Sequence, residues 1–156
     1  MNHRKAVVAD IPTLNAVALA AKAHWGYTDE QLQAWRGDLE VQPDSLESRP
    51  VFVAEMGDQV AGFVQVATDV EPWEVCAMWV SPDHMGRGLG RSLLVQACRF
   101  AAAAGQRELY VDSEPNAEGF YRACGAWVVS HVAAPIAGHP ERKRPQLVLA
   151  TSAAGS

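Results

Sequence analysis

Basic residues are in short supply in this chain: 13 lysines and arginines stand against 18 aspartates and glutamates, a net charge of -5. Nucleic-acid binding normally rests on a basic face, so the deficit argues against a nucleic-acid partner. The one dense basic run, Arg142-Lys143-Arg144, follows Glu141 and reads as a solvated loop. Cysteine is scarce too. Cys76, Cys98 and Cys124 lie far apart, form no metal or redox pair motif, and each sits in an apolar segment. Buried reduced thiols, a cytoplasmic location and no metal site are the expectations. Long hydrophobic runs are missing: none approaches the ~20 residues that span a bilayer, so no membrane partner is expected. The stretch TLNAVALAAKAHW follows Asp10 and Pro12 and has helically spaced apolar positions, which marks a folded helix rather than a secretory signal. Internal repeats and dividing linkers are absent as well. With 156 residues, 49% of them hydrophobic, the chain suits one domain over residues 1–151, followed by a disordered tail at 152–156.

What is present alternates strands and helices. Residues 3–8 read as a short strand, and Asp10 as the N-cap of a helix running to about His24. Thr28 and Gln31 have capping-box spacing and open a second helix. The run VFVAEMGDQVAGFVQVA is a hairpin about Gly57-Asp58, and WEVCAMWV continues it as a third strand. Leu89, Leu93, Ala97, Phe100, Ala101 and Ala104 recur at helical spacing up to Gly105. The strand RELYVDS, a short helix NAEGFYRAC, the strand AWVVSHVAA, a loop rich in proline and glycine, and a last strand PQLVLAT follow. The pattern is α+β, a mostly antiparallel sheet flanked by helices, with a parallel pair around the long central helix.

The segment MWVSPDHMGRGLGRSLL carries the chemistry. It passes from a strand through Gly86, Gly88 and Gly90 into a helix. A helix N-terminus has unpaired N–H groups and partial positive charge, and glycines let an anion approach the backbone. Arg87 and Arg91 add charge at the rim, so a pyrophosphate fits, with a plain chain reversal as the alternative. No lysine follows these glycines as a P-loop requires. Counted from Gly86, the third glycine of the dinucleotide fingerprint falls on Arg91. Neither ATP nor NAD is supported.

MGRGLG before an amphipathic helix resembles motif A of the GNAT superfamily of N-acetyltransferases, [QR]-x-x-G-x-[GA], with Gly88 and Gly90 at its small positions. Met85 stands where glutamine or arginine is usual, which removes a polar contact but leaves the backbone amides. NAEGFYRACGA resembles the family's later signature A-x-x-[FL]-Y-x-x-x-G-F, with Ala126 in place of the final aromatic. The resemblance covers nearly the whole chain. It implies a six- to seven-stranded sheet with about four helices, its central parallel pair splayed to hold acetyl-coenzyme A. The pyrophosphate would lie on the amides of Gly86, Arg87, Gly88, Leu89, Gly90 and Arg91, beside Met85. The pantetheine arm would pair with Met78, Trp79 and Val80, and the N–H of Val80 would polarise the thioester carbonyl.

Acetyl transfer to an amine calls for a base on the acceptor side and an acid at the sulfur. Tyr121 occupies the family's phenol position and is the acid candidate; packing of the short helix is its other reading. Asn116 matches a coenzyme-binding position or is a helix N-cap. Glu74 is the base candidate, with strand alternation setting it on one face with Cys76, Met78 and Val80, give or take the bulge that the resemblance implies in this strand; a solvated edge charge is the alternative. Trp25, Tyr27 and Trp35, with His24 nearby, line a pocket for a cationic amine or pack two helices together. The expected function is transfer of acetyl from acetyl-coenzyme A to the primary amine of a small molecule. Acetylation of a protein lysine or N-terminus, and coenzyme sensing without turnover, are the alternatives. The resemblance also implies a homodimer.

Overall fold

The computed structural model describes residues 1–152, so most of the expected tail lies outside the described residues. Its elements are β1 (Asn2–Lys5), α1 (Ile11–His24), α2 (Asp29–Leu39), β2 (Val51–Met56), β3 (Gln59–Ala67), β4 (Glu74–Val80), α3 (Leu89–Ala103), β5 (Glu108–Asp112), α4 (Glu118–Ala123), β6 (Trp127–Ala133) and β7 (Lys143–Ala150). The strands form one seven-stranded sheet in the order β1-β2-β3-β4-β5-β7-β6. Every neighbouring pair is antiparallel except β4–β5, which is parallel with α3 as its crossover. Among the described residues no helix is long and apolar enough to cross a membrane.

Each face of the sheet has its own core. Leu93, Leu94, Ala97, Cys98 and Ala101 of α3 are buried against Val64, Val66, Val75, Leu109 and Leu147. Leu14, Val17 and Ala18 of α1 are buried with Val51, Val53 and Phe63 on the other. These are the three- and four-residue spacings that give a helix one apolar stripe. The Thr28–Gln31 capping box forms as expected, each side chain bonding the other residue's backbone N–H. Burial raises the thiols of Cys76 and Cys98 to about 11, well away from the reactive thiolate.

Local expectations change in two places. The first strand ends at Lys5, and a 3-10 turn over Val8–Asp10 takes the place of its second half. Asp10 does stand before α1, but its carboxylate does not cap that helix. It accepts two hydrogen bonds from the Arg4 guanidinium, both at 2.8 Å, and one from the Val7 N–H. A fork of charged donors outcompetes a single orphan amide.

The second change bears on the site. Gln65 pairs with Ala77 but Val66 pairs with Val75, so Cys76 is an extra residue in β4. That bulge breaks the two-residue alternation. Val75, Met78 and Val80 pack with the α3 core, whereas Ala77 and Trp79 pack with the α1 core. Glu74 pairs with Ala67, next to Val75 paired with Val66, and therefore faces the α1 side. The single face expected for Glu74, Cys76, Met78 and Val80 does not exist.

Arg4 holds the Asp10 carboxyl down at about 2, against an ordinary 3.8. A depressed folded-state value contributes stability above the unfolded value, and the contribution is lost as pH falls through the folded one. Asp10→Asn should therefore cost about 1 kcal/mol at neutral pH, a figure kept small because Arg4 is partly exposed. Urea unfolding at descending pH should show the gap from wild type closing between about pH 4 and pH 2.

Candidate active site

The parallel pair β4–β5 has only two registered residue pairs, Glu74 with Tyr110 and Val75 with Val111. Past Val111, β5 keeps its register with β7, Asp112 opposite Gln146, and parts from β4. The N–H of Ser81 donates to Ala61 while Val80 pairs with Gly62, so 80–62 is a non-hydrogen-bonded pair of the β3–β4 ladder. By the alternation of antiparallel ladders, Val80 and Met78 then turn both N–H and C=O toward the gap, while Trp79 bonds to Phe63. The gap thus presents an open strand edge.

A cavity of about 490 Å³ fills this gap, within the range of small-molecule sites. Met78, Trp79 and Val80 line one wall, Phe120 and Tyr121 another, and the glycine turn closes one end. In that turn Gly86 and Gly88 have φ of +79° and +80°, a backbone conformation that costs other residues about 1–2 kcal/mol. Gly90 serves a different purpose: a Cβ there would come within 3.1 Å of the Phe120 ring. The first hydrogen bond of α3 is from Ser92 N–H to Gly88, so the amides of Leu89, Gly90 and Arg91 remain open. The Leu89 side chain is in the core, Met85 and Arg91 line the cavity, and Arg87 is exposed and does not.

Tyr121 is 5% exposed, and burial raises its phenol well above the ordinary value, with the nearby Cys124 adding to this. It stays protonated across the neutral range. Glu74 is half-buried at the paired end of β4 and does not line the cavity. Burial raises its carboxyl, as does the nearby Asp112, while Arg49 opposes them.

A second, more polar cavity lies between the α1–α2 turn and the β6–β7 loop, and Trp25 and Asn116 line both. Between the two is a cluster that sequence reasoning missed. Glu114, in the turn after β5, forms a buried ion pair with Lys22 of α1. The Tyr27 hydroxyl donates to Glu114 at 2.5 Å, and the Asn116 amide donates to it at 2.7 Å. Asn116 is thus not an N-cap; it lies in the 3-10 turn Pro115–Ala117, and α4 begins only at Glu118. Burial alone would raise Glu114, but the hydrogen bonds from Lys22 and Tyr27 outweigh it and hold the carboxyl below its usual range. Burial, opposed by Glu114, pulls Lys22 down. Burial, reinforced by Glu114, pushes Tyr27 up.

Arg142 completes the cluster, with 11% of its side chain exposed. It donates to the Tyr27 hydroxyl at 3.2 Å and to the Ala134 carbonyl at 3.0 Å. The basic run read as a solvated loop is therefore structural: Arg142 is part of this cluster, and Arg144 in β7 pairs with Asp112. Trp35 lines neither cavity. Its ring takes Lys22 at 4.4 Å and Arg142 at 5.4 Å, and the Tyr27 ring takes the same two cations at 4.9 and 5.5 Å. The aromatics do bind cations, but the cations are the protein's own.

One sign of the cluster was readable. Lys22 stands four residues after Ala18 and eight after Leu14, in the apolar stripe of α1, and a lysine there needs a buried partner. Replacing Glu114 by Gln would leave Lys22 without its counter-charge, at a cost of about 3 kcal/mol or more. Lys22→Met added to Glu114→Gln should recover part of that loss, measured as the coupling energy in a double-mutant unfolding cycle.

Comparison with known proteins agrees with this architecture. Residues 47–125 match the family model described as an acetyltransferase (GNAT) domain. A GCN5-related N-acetyltransferase from Rhodopseudomonas palustris has a similar structure, with TM-score 0.79 at 22% identity, over 96% of this chain and 94% of that one. PaiA N-acetyltransferase from Thermoplasma acidophilum, solved in complex with coenzyme A, gives TM-score 0.76 at 16% identity over 96% and 98% of the two chains. IAA acetyltransferase from Bacillus cereus gives 0.68 at 19% identity, again over 96% and 98%. With the parted parallel strands, the glycine turn and the family match together, the chain belongs to the GNAT acetyltransferases and is an acetyl-coenzyme A-dependent acyltransferase.

Proposed function

We propose that the first cavity holds acetyl-coenzyme A and the second receives a small-molecule primary amine. The observation that carries this is the junction of the two cavities at Trp25 and Asn116, beside the open edge of β4. The pyrophosphate lies on the open amides at the start of α3 and in the turn at Gly86 and Gly88, with Arg91 beside it. The pantetheine arm pairs with the edge groups of Met78 and Val80 as an added strand. That puts the thioester carbonyl near the Val80 N–H, a fixed dipole in a partly dry cleft, where charge developing on oxygen is best stabilised.

An alkyl ammonium has a pKa of about 10.4 and loses its proton before it attacks. Glu74 lies outside the cavity wall, so it receives that proton through water rather than by direct contact. The nitrogen adds to the thioester carbon, the C–S bond breaks as the carbonyl re-forms, and the departing thiolate takes the Tyr121 proton. A phenol raised by burial is a weak acid in water, but here it faces a thiolate whose only other donor is solvent.

Other members of the fold suit both kinds of acceptor. A ribosomal-protein-S18-alanine N-acetyltransferase from Escherichia coli has TM-score 0.72, and a chimeric spermidine N-acetyltransferase has 0.70. The second cavity, about 720 Å³ and bordered by Tyr27, Ile136 and Arg142, has room for a small amine, and the small molecule is the reading adopted here. Thiol release from acetyl-coenzyme A should be driven by small primary amines. Stoichiometric acetylation of intact proteins, read by mass spectrometry with no small amine consumed, would overturn the small-molecule assignment.

Tyr121→Phe should lower kcat by roughly 10- to 1000-fold and leave coenzyme affinity near wild type. In the wild type, kcat/KM should rise with pH as the amine is deprotonated, with no decline from Tyr121 below about pH 10, because its phenol is raised rather than lowered. An unchanged kcat in the variant would remove Tyr121 from the reaction.

A further inference from the structure

The charges beside the second cavity do not balance. Lys22 and Glu114 are a pair, and Arg144 is paired with Asp112. Arg142 lies 3.8 Å from Glu114, beyond hydrogen-bond reach of a carboxylate already taken by Lys22, Tyr27 and Asn116. Its guanidinium has five N–H groups, and its two bonds to described residues go to neutral oxygens, Ala134 and Tyr27. Its charge is thus the surplus one. Arg142 and Arg144 also depress the neighbouring Lys22, after burial, so the surplus acts on the rest of the cluster. The acidic group nearest along the chain, Glu141, is exposed at the cavity mouth together with His139, where water screens it.

A buried, forked cation with donors to spare, lining a cavity, is matched to a carboxylate. The aromatic faces that would have welcomed a substrate cation are filled. Lys22 and Arg142 lie over Tyr27 and Trp35 at 4.4 to 5.5 Å from the ring centres. A polyamine entering here would meet the Arg142 guanidinium on the inner wall, with Glu141 only at the mouth, and no free ring of this pair.

We propose that the acceptor is a small amine that also carries a carboxylate, with the carboxylate bound by the spare N–H groups of Arg142. The amine of the same molecule then reaches past Trp25 and Asn116 toward the open edge of β4. This deepens the reading in which the second cavity takes the acceptor, and it rests on that reading. Arg142 is a specificity residue here. It positions the acceptor and takes no part in proton transfer.

The test uses the full chain, saturating acetyl-coenzyme A and matched triplets of amines: an amino acid, its carboxamide and the corresponding decarboxylated amine. Several side chains and several amine-to-carboxylate spacings are included. Within a triplet that is turned over, the carboxylate should exceed its two partners by about 10- to 100-fold in kcat/KM, the scale of a charge-assisted hydrogen bond. Arg142→Gln should abolish that preference, mainly through KM, with the carboxylate of each triplet losing about 10-fold or more relative to its carboxamide. Arg142→Lys should retain part of the preference, since it keeps the charge and loses the fork. The wild-type triplets decide the question even if a variant folds poorly.

Equal or better turnover of carboxamides or decarboxylated amines overturns the proposal, and it leaves small-molecule acetylation standing. A uniform loss across each triplet in Arg142→Gln also overturns it, because the residue would then be structural. Acetylation of protein lysines with no small amine consumed sinks both this inference and the reading beneath it.

Discussion

The functional architecture depends on one parting of strands. β4 and β5 run together for two residue pairs and then separate, because an extra residue at Cys76 twists β4 while β5 keeps its antiparallel register with β7. An unpaired strand edge inside a protein is costly unless something occupies it. Here the backbone groups of Met78 and Val80 face a cavity that an extended, amide-bearing ligand can enter. The glycine turn at the end of the same strand adds the open amides of α3. Strand edge and helix N-terminus therefore border one cavity, and in the proposed reading they are two parts of one binding surface, joined by the turn from Ser81 to Gly88.

The other end of the gap is closed by charge. A lysine and a glutamate, both nearly excluded from water, hold α1 to the turn after β5. Such a pair is weak evidence for added stability, because desolvation offsets much of its attraction. Its effect is geometric. Tyr27 and Asn116 bind the same carboxylate, so the α1–α2 turn and the turn before α4 cannot move independently of it. Arg142 brings in the β6–β7 loop through the Tyr27 hydroxyl. Three segments far apart in sequence thereby become one wall of the second cavity.

The fold was legible because it is written in periodicity. The strands from Val51 to Val80, the stripe of α3 and the Thr28 capping box depend on neighbours close in sequence, and they formed as read except at Ala104, which is exposed just past the end of α3. The glycine turn was legible for the same reason, although the absent side chain of Gly90 also answers to the Phe120 ring that packs against it. The resemblance implies a bulge in this strand, but its position could not be read, since no residue type demands one at Cys76, and it moved Glu74 to the opposite face from Met78 and Val80. The cluster also escaped, because Lys22, Glu114 and Arg142 meet only through the tertiary fold. Arg142 was misjudged on composition: a basic run in a loop rich in proline is usually solvated, and this one is turned inward by Glu114, Tyr27 and Ala134.

The two cavities are linked most directly by the short segment from Asp112 to Asn116. Asp112 lines the first cavity and is held by Arg144 and Gln146; Asn116 lines both cavities. Ser113 between them is 1% exposed, its N–H bound to Pro145 and its hydroxyl to the Glu114 carbonyl. The segment therefore has little freedom to adjust separately to two ligands. A path of direct hydrogen bonds, from Asn116 through Glu114 and Tyr27 to Arg142, therefore joins the two cavities. On the proposed reading, a wall tied together in this way favours an acceptor fixed at two points over one held by its amine alone, because two fixed points hold its nitrogen in line with the thioester carbonyl.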